Sequence, residues 1–231
     1  MQVIALLISF IPYLLLFFYF RNRKKDETYK KNCNRLLVDG LLCFGMIFVL
    51  DLIINIILNI LHLKDINPLF TDFLRTFIIN ALVEEYVKFY TTNKRIGLNN
   101  IKYSYLDLMA FYSIVAIGFA LIEDVIYVFG TNIIQILVRG VTGLHAGLGL
   151  MIGYYTAKKI VTGDKKYGVI ALALPIFLHG SYNFFLSEHL SGDIQMMVLI
   201  FLFATMFIGI KLLVFMHKHR NDEEYNKILN A

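Results

Sequence analysis

The run Asn80-Ala81-Leu82-Val83-Glu84-Glu85-Tyr86-Val87-Lys88-Phe89 places three ionisable groups inside a stretch that is otherwise apolar enough to lie in a membrane. A charge at the centre of a bilayer costs about 2.5–3.5 kcal/mol on the insertion scale, so three unpaired ones cost on the order of 10 kcal/mol. They therefore require polar partners on neighbouring segments. Glu84 and Lys88 share a helix face at i, i+4 and can pair, which leaves Glu85 about 100° away. Three further groups can supply partners: Glu123-Asp124, Arg139 with His145, and His179-Gly180-Ser181-Tyr182-Asn183, in which His179 and Asn183 share a face.

Carboxylates and imidazoles grouped in a membrane suit hydrolysis. A carboxylate whose affinity for protons is set by burial and a nearby cation can take a proton from water, and Glu84 or Glu85 is the candidate base. His145, His179 and Glu123 offer another route, a divalent metal such as zinc that acidifies the water. No His-Glu-x-x-His run is present, so such ligands would come from different helices. Asn183 can orient His179 or donate to a developing oxyanion. Each element also has a plain structural reading: a lone intramembrane histidine is ordinarily a hydrogen-bonded core residue, and Glu84 with Lys88 can be an ion pair of the scaffold. Several ionisable groups at compatible depths favour a functional site. Chemistry by itself leaves open a protease, a proton-coupled transporter, or a noncatalytic immunity or scaffold protein.

The elements that must position these groups are transmembrane helices. Of 231 residues, 58% are hydrophobic and 17% charged, against about 45–50% and about 25% in soluble domains. The expectation is an all-α polytopic bundle of seven spans, at about residues 2–20, 36–61, 69–91, 104–129, 132–157, 167–188 and 194–216. Arg21, Arg23, Lys24 and Lys25 stop the first apolar run, with no cleavage pattern behind it, so it reads as a retained span. Alternate loops and the tail hold seventeen basic residues, against Lys64 on the other side. The positive-inside rule then puts the amino terminus outside and the carboxyl terminus in the cytoplasm. The net charge of +5 reports this topology rather than a nucleic-acid partner. Residues 1–217 read as one transmembrane domain and 218–231 as a short charged tail, solvated or interfacial.

Depth along these spans permits one site. At 1.5 Å per residue, Glu84 lies about 15 Å from the cytoplasmic end of its span, and Glu123, His145 and His179 about 10, 20 and 18 Å from the outer ends of theirs. Tilt and side-chain length absorb a spread of about 10 Å. Asp51, Asn55 and Asn59 form an i, i+4, i+8 stripe expected to face protein and bond between helices. Gly143 with Gly147 and Gly149 with Gly153 allow close backbone approach and place the fifth span centrally. Pro175 predicts a kink before His179. Cys33 and Cys43 show neither disulfide nor zinc-ligand spacing.

The motifs Glu84-Glu85-x-x-Lys88, Gly118-Phe119-x-x-x-Glu123, Arg139 with His145-Ala146, and His179-Gly180-Ser181-Tyr182-Asn183 together resemble the ordered set of the PrsW family of intramembrane proteases. The likeness runs from about residue 69 to 186 in motifs and over nearly the whole chain in span layout. The family is similar in turn to the CAAX prenyl endopeptidase and bacteriocin-processing superfamily, which usually has an Arg where Phe89 stands and a His where Glu123 stands. Asp124 departs from the Asn often found there, and Asn183 holds a place where an Asp also occurs. The resemblance implies a multi-pass endopeptidase of the bacterial plasma membrane that makes the first cut in a membrane-anchored, single-span anti-sigma factor during stress signalling. It further implies Glu84, Glu85, Glu123, His145 and His179 as the active-site set, with Lys88, Arg139 and Asp124 in support, and either a glutamic or a metal mechanism.

Overall fold

The computed structural model describes residues 2–63, 67–97, 103–127, 140 and 142–229. All regular structure among them is helical. In chain order the helices are α1 (Gln2–Arg21), α2 (Glu27–Ile60), α3 (Pro68–Phe73), α4 (Glu84–Ile96), α5 (Tyr105–Tyr127), α6 (Leu144–Thr162), α7 (Lys165–Phe184), the short α8 (Gly192–Gln195), α9 (Val198–Lys218) and α10 (Glu223–Asn226). A π-helical segment, Leu74–Val83, joins α3 to α4. Helix starts follow local chemistry: Asp26 accepts from the amides of Thr28 and Tyr29, Asn67 from those of Leu69 and Phe70, and Asp164 from that of Lys166. Gly97 and Gly163 end α4 and α6 in the left-handed conformation that only glycine takes without strain.

Helices stand at all seven expected places, with the fifth described from Leu144. Four stretches have the length and apolarity to cross a membrane: Gln2–Arg21, Glu27–Ile60, Tyr105–Tyr127 and Gly192–Lys218. The helices that fall short of that measure carry the polar cargo: Glu84, Glu85 and Lys88 on α4, His145 among the glycines of α6, and His179, Ser181 and Asn183 on α7. The 68–96 stretch is further divided into α, π and α pieces, each under 18 residues.

Burial ranks the spans. In α5, 89% of the apolar window is buried within the protein, against 28% in α1 and 11% in α2. Thus α5 is the axis of the bundle and the others expose apolar faces suited to lipid. Helix α6 lies directly on it, because a Cβ at Gly149 would stand 2.7 Å from the Ser113 Cα and one at Gly153 2.5 Å from the Met109 Cα. The glycines thus permit the close approach expected of the central span. Ser113 Oγ donates to the Ala146 carbonyl at 3.0 Å across the same seam.

One expectation gives way. The Asp51, Asn55, Asn59 stripe forms no interhelical hydrogen bond among the described residues; Asn55 Nδ2 donates instead to Asp51 Oδ1 and to the Asp51 carbonyl, each at 2.9 Å. Among the described residues none of the buried ones of α2 lies beyond Ile47, and Asp51 and Asn55 are half-buried. The charged tail carries the short helix α10 and also docks on the bundle. Leu229 is buried and its amide donates to the Tyr103 carbonyl at 3.0 Å, Asn226 accepts from Arg23 at 3.0 Å, and Tyr225 packs on Phe215 with ring centroids 5.1 Å apart. The apolar faces of Tyr225 and Leu229 outweigh the charges around them.

Candidate active site

Four helices deliver the polar groups. Helix α4 brings Glu84, Glu85 and Lys88, α5 Glu123, α6 His145 and α7 His179, all buried. The π-helical segment runs directly into Glu84, whose amide donates to the carbonyls of Asn80 and Ala81. Such widened turns are rare and concentrate at functional sites. Helix α7 approaches through Gly180, where a Cβ would stand 2.5 Å from the Phe77 ring; the ring therefore lies against backbone, and His179 reaches α4. Helix α7 continues through Pro175 to Phe184.

Glu85 is the hub. Its Oε1 accepts from Lys88 Nζ at 2.6 Å and lies 2.9 Å from His179 Nδ1. Lys88 thus pairs at i, i+3 with Glu85, where the i, i+4 partner Glu84 was expected. Tertiary contacts decide this: the same ammonium lies 3.3 Å from His145 Nδ1 and 4.6 Å from the centroid of the Phe119 ring. His145 Nε2 stands 2.7 Å from Glu123, and His179 Nε2 stands 3.9 Å from Glu84 Oε2. The two imidazoles meet edge to face with centroids 5.1 Å apart.

The remaining expected residues lie around this centre. Asp124 accepts from Ser9 of α1 at 3.2 Å and so faces α1. Asn183 makes no side-chain hydrogen bond with His179; it lines a polar cavity of about 320 Å³ with Asp72, Thr76, Asn80 and Tyr182. Asn80 precedes Glu84 by one turn and Asn183 follows His179 by one turn, so the cavity approaches the cluster from the end of the bundle where α7 finishes. Thr76 and Asn80 were not singled out in the sequence, although Asn80 opens the polar run and its spacing from Glu84 is the signal that marks it. Arg139 lies outside the described residues.

The cluster suits a divalent cation by its own chemistry. Glu84, Glu85, His145 and His179 each offer a ligand atom within 4.8 Å of the others. Among the described residues, Glu85 Oε2 and His179 Nε2 are buried polar atoms without a hydrogen-bond partner, a costly condition that a bound ion would relieve. Among the described residues Lys88 pairs with Glu85, while Glu123 lies against His145 and Glu84 nearest His179. The expected donor trio of His145, His179 and Glu123 differs in one member from this grouping, since Glu123 stands behind His145 on its Nε2.

A helical membrane bundle that buries glutamates and histidines where they can hold water or a metal is of the class of membrane-embedded hydrolases. Comparison with known proteins narrows this. The profile of the PrsW family, described as intramembrane metalloproteases, matches residues 34–210. A protein named Protease PrsW from Oceanobacillus iheyensis is 34% identical over 118 residues, which cover 49% of this chain and 55% of that relative. Proteins of the same name from Bacillus subtilis and Clostridioides difficile are 25% and 27% identical, over 75% and 80% of this chain and 78% and 80% of theirs. No solved structure matches. The chain belongs to the PrsW family: it is a peptidase of the bacterial plasma membrane, with several helices apolar enough to cross it.

Proposed function

We propose that the protein is an endopeptidase that cuts a single-span membrane protein of the anti-sigma-factor type, initiating release of a sigma factor in a stress response. The observation that carries the catalytic part is the buried Glu85–His179 pair, which leaves Glu85 Oε2 and His179 Nε2 without hydrogen-bond partners among the described residues. Glu84 or Glu85 takes up the proton of the attacking water, and Glu85 holds His179 in position through its Nδ1. His179 polarises the scissile carbonyl, with Asn183 at the cavity wall in position to bind the peptide backbone. Lys88 and the His145–Glu123 pair hold Glu85 in place. Glu84, Glu85, His179 and His145 would hold a divalent metal such as zinc, which when bound lowers the pKa of a coordinated water. Asp124 supports the site through α1, and Arg139 belongs to the supporting set.

The bundle is proposed to cross the membrane seven times as one domain, residues 1–217, with residues 218–231 as its cytoplasmic tail. Support comes from one end of the molecule, where Arg23, Lys24 and Arg95 pair with Asp107 and Asp39 and the tail folds against Tyr103. Under the positive-inside rule this basic end would be the cytoplasmic one. The polar cavity then opens outward, and the cut falls toward the outer leaflet.

The test is cleavage of a single-span anti-sigma reporter by purified protein in proteoliposomes, comparing wild type, Glu84→Gln and Glu85→Gln, with chelation and zinc re-addition. Loss of cleavage by on the order of 10³-fold in both variants is expected, and the chelated enzyme should recover with zinc. Undiminished cleavage in both variants would overturn the assignment. Zinc should also raise the melting temperature of the wild type and not of His179→Ala, because only a ligand bound to the folded state stabilises it.

A further inference from the structure

A second cavity, larger than the polar one, opens on the flank of the bundle between α4, α6 and α7, with a volume of about 1150 Å³. Its walls are apolar: Leu82 and Phe89 on one side, Leu172 and Ile176 on the other. Lys159 and Lys165 line it at the end where α6 turns into α7. The stem of Lys159 lies across the backbone of Gly168, where an added Cβ would stand 3.0 Å from Cδ and 3.5 Å from Nζ. Glycine at 168 therefore lets the lysine fold across the helical hairpin and keep its ammonium at the groove. Neither lysine has an acidic partner among the described residues. The nearby carboxylate, Asp164, is committed to the Lys166 ammonium at 2.8 Å and to the Lys166 amide at 2.9 Å.

We infer that this groove binds an anionic phospholipid, with the phosphate between Lys159 and Lys165 and an acyl chain along Leu82, Phe89, Leu172 and Ile176. The dimensions select this occupant over a transmembrane helix. From Lys165 to Ile176 the helix rises about 16 Å, close to half of a hydrocarbon core about 30 Å thick. A cationic mouth at headgroup level above apolar walls one leaflet deep fits one lipid; a membrane-spanning segment needs both leaflets. Lysines at such a mouth bury their stems on apolar surface and keep their charge for the headgroup. The site is separate from the buried carboxylates and does not depend on the proteolytic reading.

Native mass spectrometry tests it on the full-length protein, extracted from vesicles that contain equal amounts of phosphatidylglycerol and phosphatidylcholine. The wild type should retain one phosphatidylglycerol in preference to phosphatidylcholine. Lys159→Ala and Lys165→Ala should each cut that preference by about fivefold, the ratio expected for one lysine near an anionic surface. Lys211→Ala, on α9, should leave it unchanged, and Leu172→Trp, which fills the groove, should lower retention of both lipids. Melting curves in the same detergent verify that each variant is folded. Equal retention of the two lipids by the wild type overturns the proposal, as does a preference that survives loss of both lysines. Displacement by excess inorganic phosphate would identify a free-anion site and overturn it too, and displacement by a single-span peptide would assign the groove to substrate.

Discussion

Asp107 and Glu85 are both buried carboxylates, with relative exposures of 1% and 0%, and both hold a lysine ammonium at 2.6 Å. What surrounds them differs. Asp107 opens α5, where the helix dipole favours an anion; one oxygen pairs with Arg23, and the other accepts from Lys24 and from the Ser104 amide at 2.9 Å. Two cations and a helix start serve one carboxylate. Glu85 shares its Oε1 between Lys88 and His179, and among the described residues its Oε2 has no hydrogen-bond partner. The first arrangement ties the α1–α2 turn to the axis of the bundle. The second keeps donor atoms open in a place where openness costs stability, as active sites do and scaffolds do not.

The sharpest way to break this contrast is to neutralise each carboxylate in turn. Asp107→Asn should destabilise the protein by about 3 kcal/mol, because it leaves Arg23 beside a neutral amide, while whatever remains folded still cleaves at the wild-type rate per molecule. Glu85→Gln should lose cleavage in protein that still folds, because the amide oxygen can still accept from Lys88. Thermal melts in detergent alongside cleavage per folded molecule separate the two. Loss of activity in folded Asp107→Asn, or collapse of the fold in Glu85→Gln, would erase the distinction.

A smaller effect tests how the second cluster is assembled. Gly180→Ala puts a methyl group 2.5 Å from the Phe77 ring, so α7 must shift away from the π-helical segment and carry His179 off Glu85. Cleavage should fall by about tenfold, because misplacing a reacting group by a fraction of an ångström is enough. Phe77→Leu in the same chain should restore most of it by making room. A double variant no better than Gly180→Ala would mean that the ring is not what sets the position of His179.

The site was legible in the sequence as a set of residue types, because a charge within an apolar run has few explanations, and the depth estimates for Glu84, Glu123, His145 and His179 were close enough to put them together. The pairings within it were not legible. Lys88 can reach i−4 or i−3 equally from α4, and the choice of Glu85 is made by His145 and Phe119, which arrive from other helices. The π-helical segment leaves no trace in hydropathy, since Leu74–Val83 is as apolar as an α-helical span. The fold was legible as helix positions but less so as packing: the glycines of α6 announced its contact with α5, whereas the tail hid the apolar side of Tyr225 and Leu229 among charges.

The smallest predicted effect concerns the outer half of α2, where sequence periodicity and structure disagree. If the stripe of Asp51, Asn55 and Asn59 bonded across helices, replacing Asn55 by Leu would cost about 1–2 kcal/mol. In the structure the Asn55 amide donates within its own helix, to Asp51, and the helix around it faces outward, with Leu52 53% and Ile56 49% exposed. Exchanging that half-buried amide for an alkyl group removes one intrahelical bond and a polar group that apolar surroundings do not favour, and these two terms oppose each other. Asn55→Leu should therefore change stability by less than about 0.5 kcal/mol and leave cleavage as it is. Steric-trapping or detergent-unfolding measurements resolve that difference. A loss above about 1 kcal/mol would mean that the stripe meets a partner helix after all, and the outer half of α2 would then join α5 as packed structure rather than a lipid-facing flank.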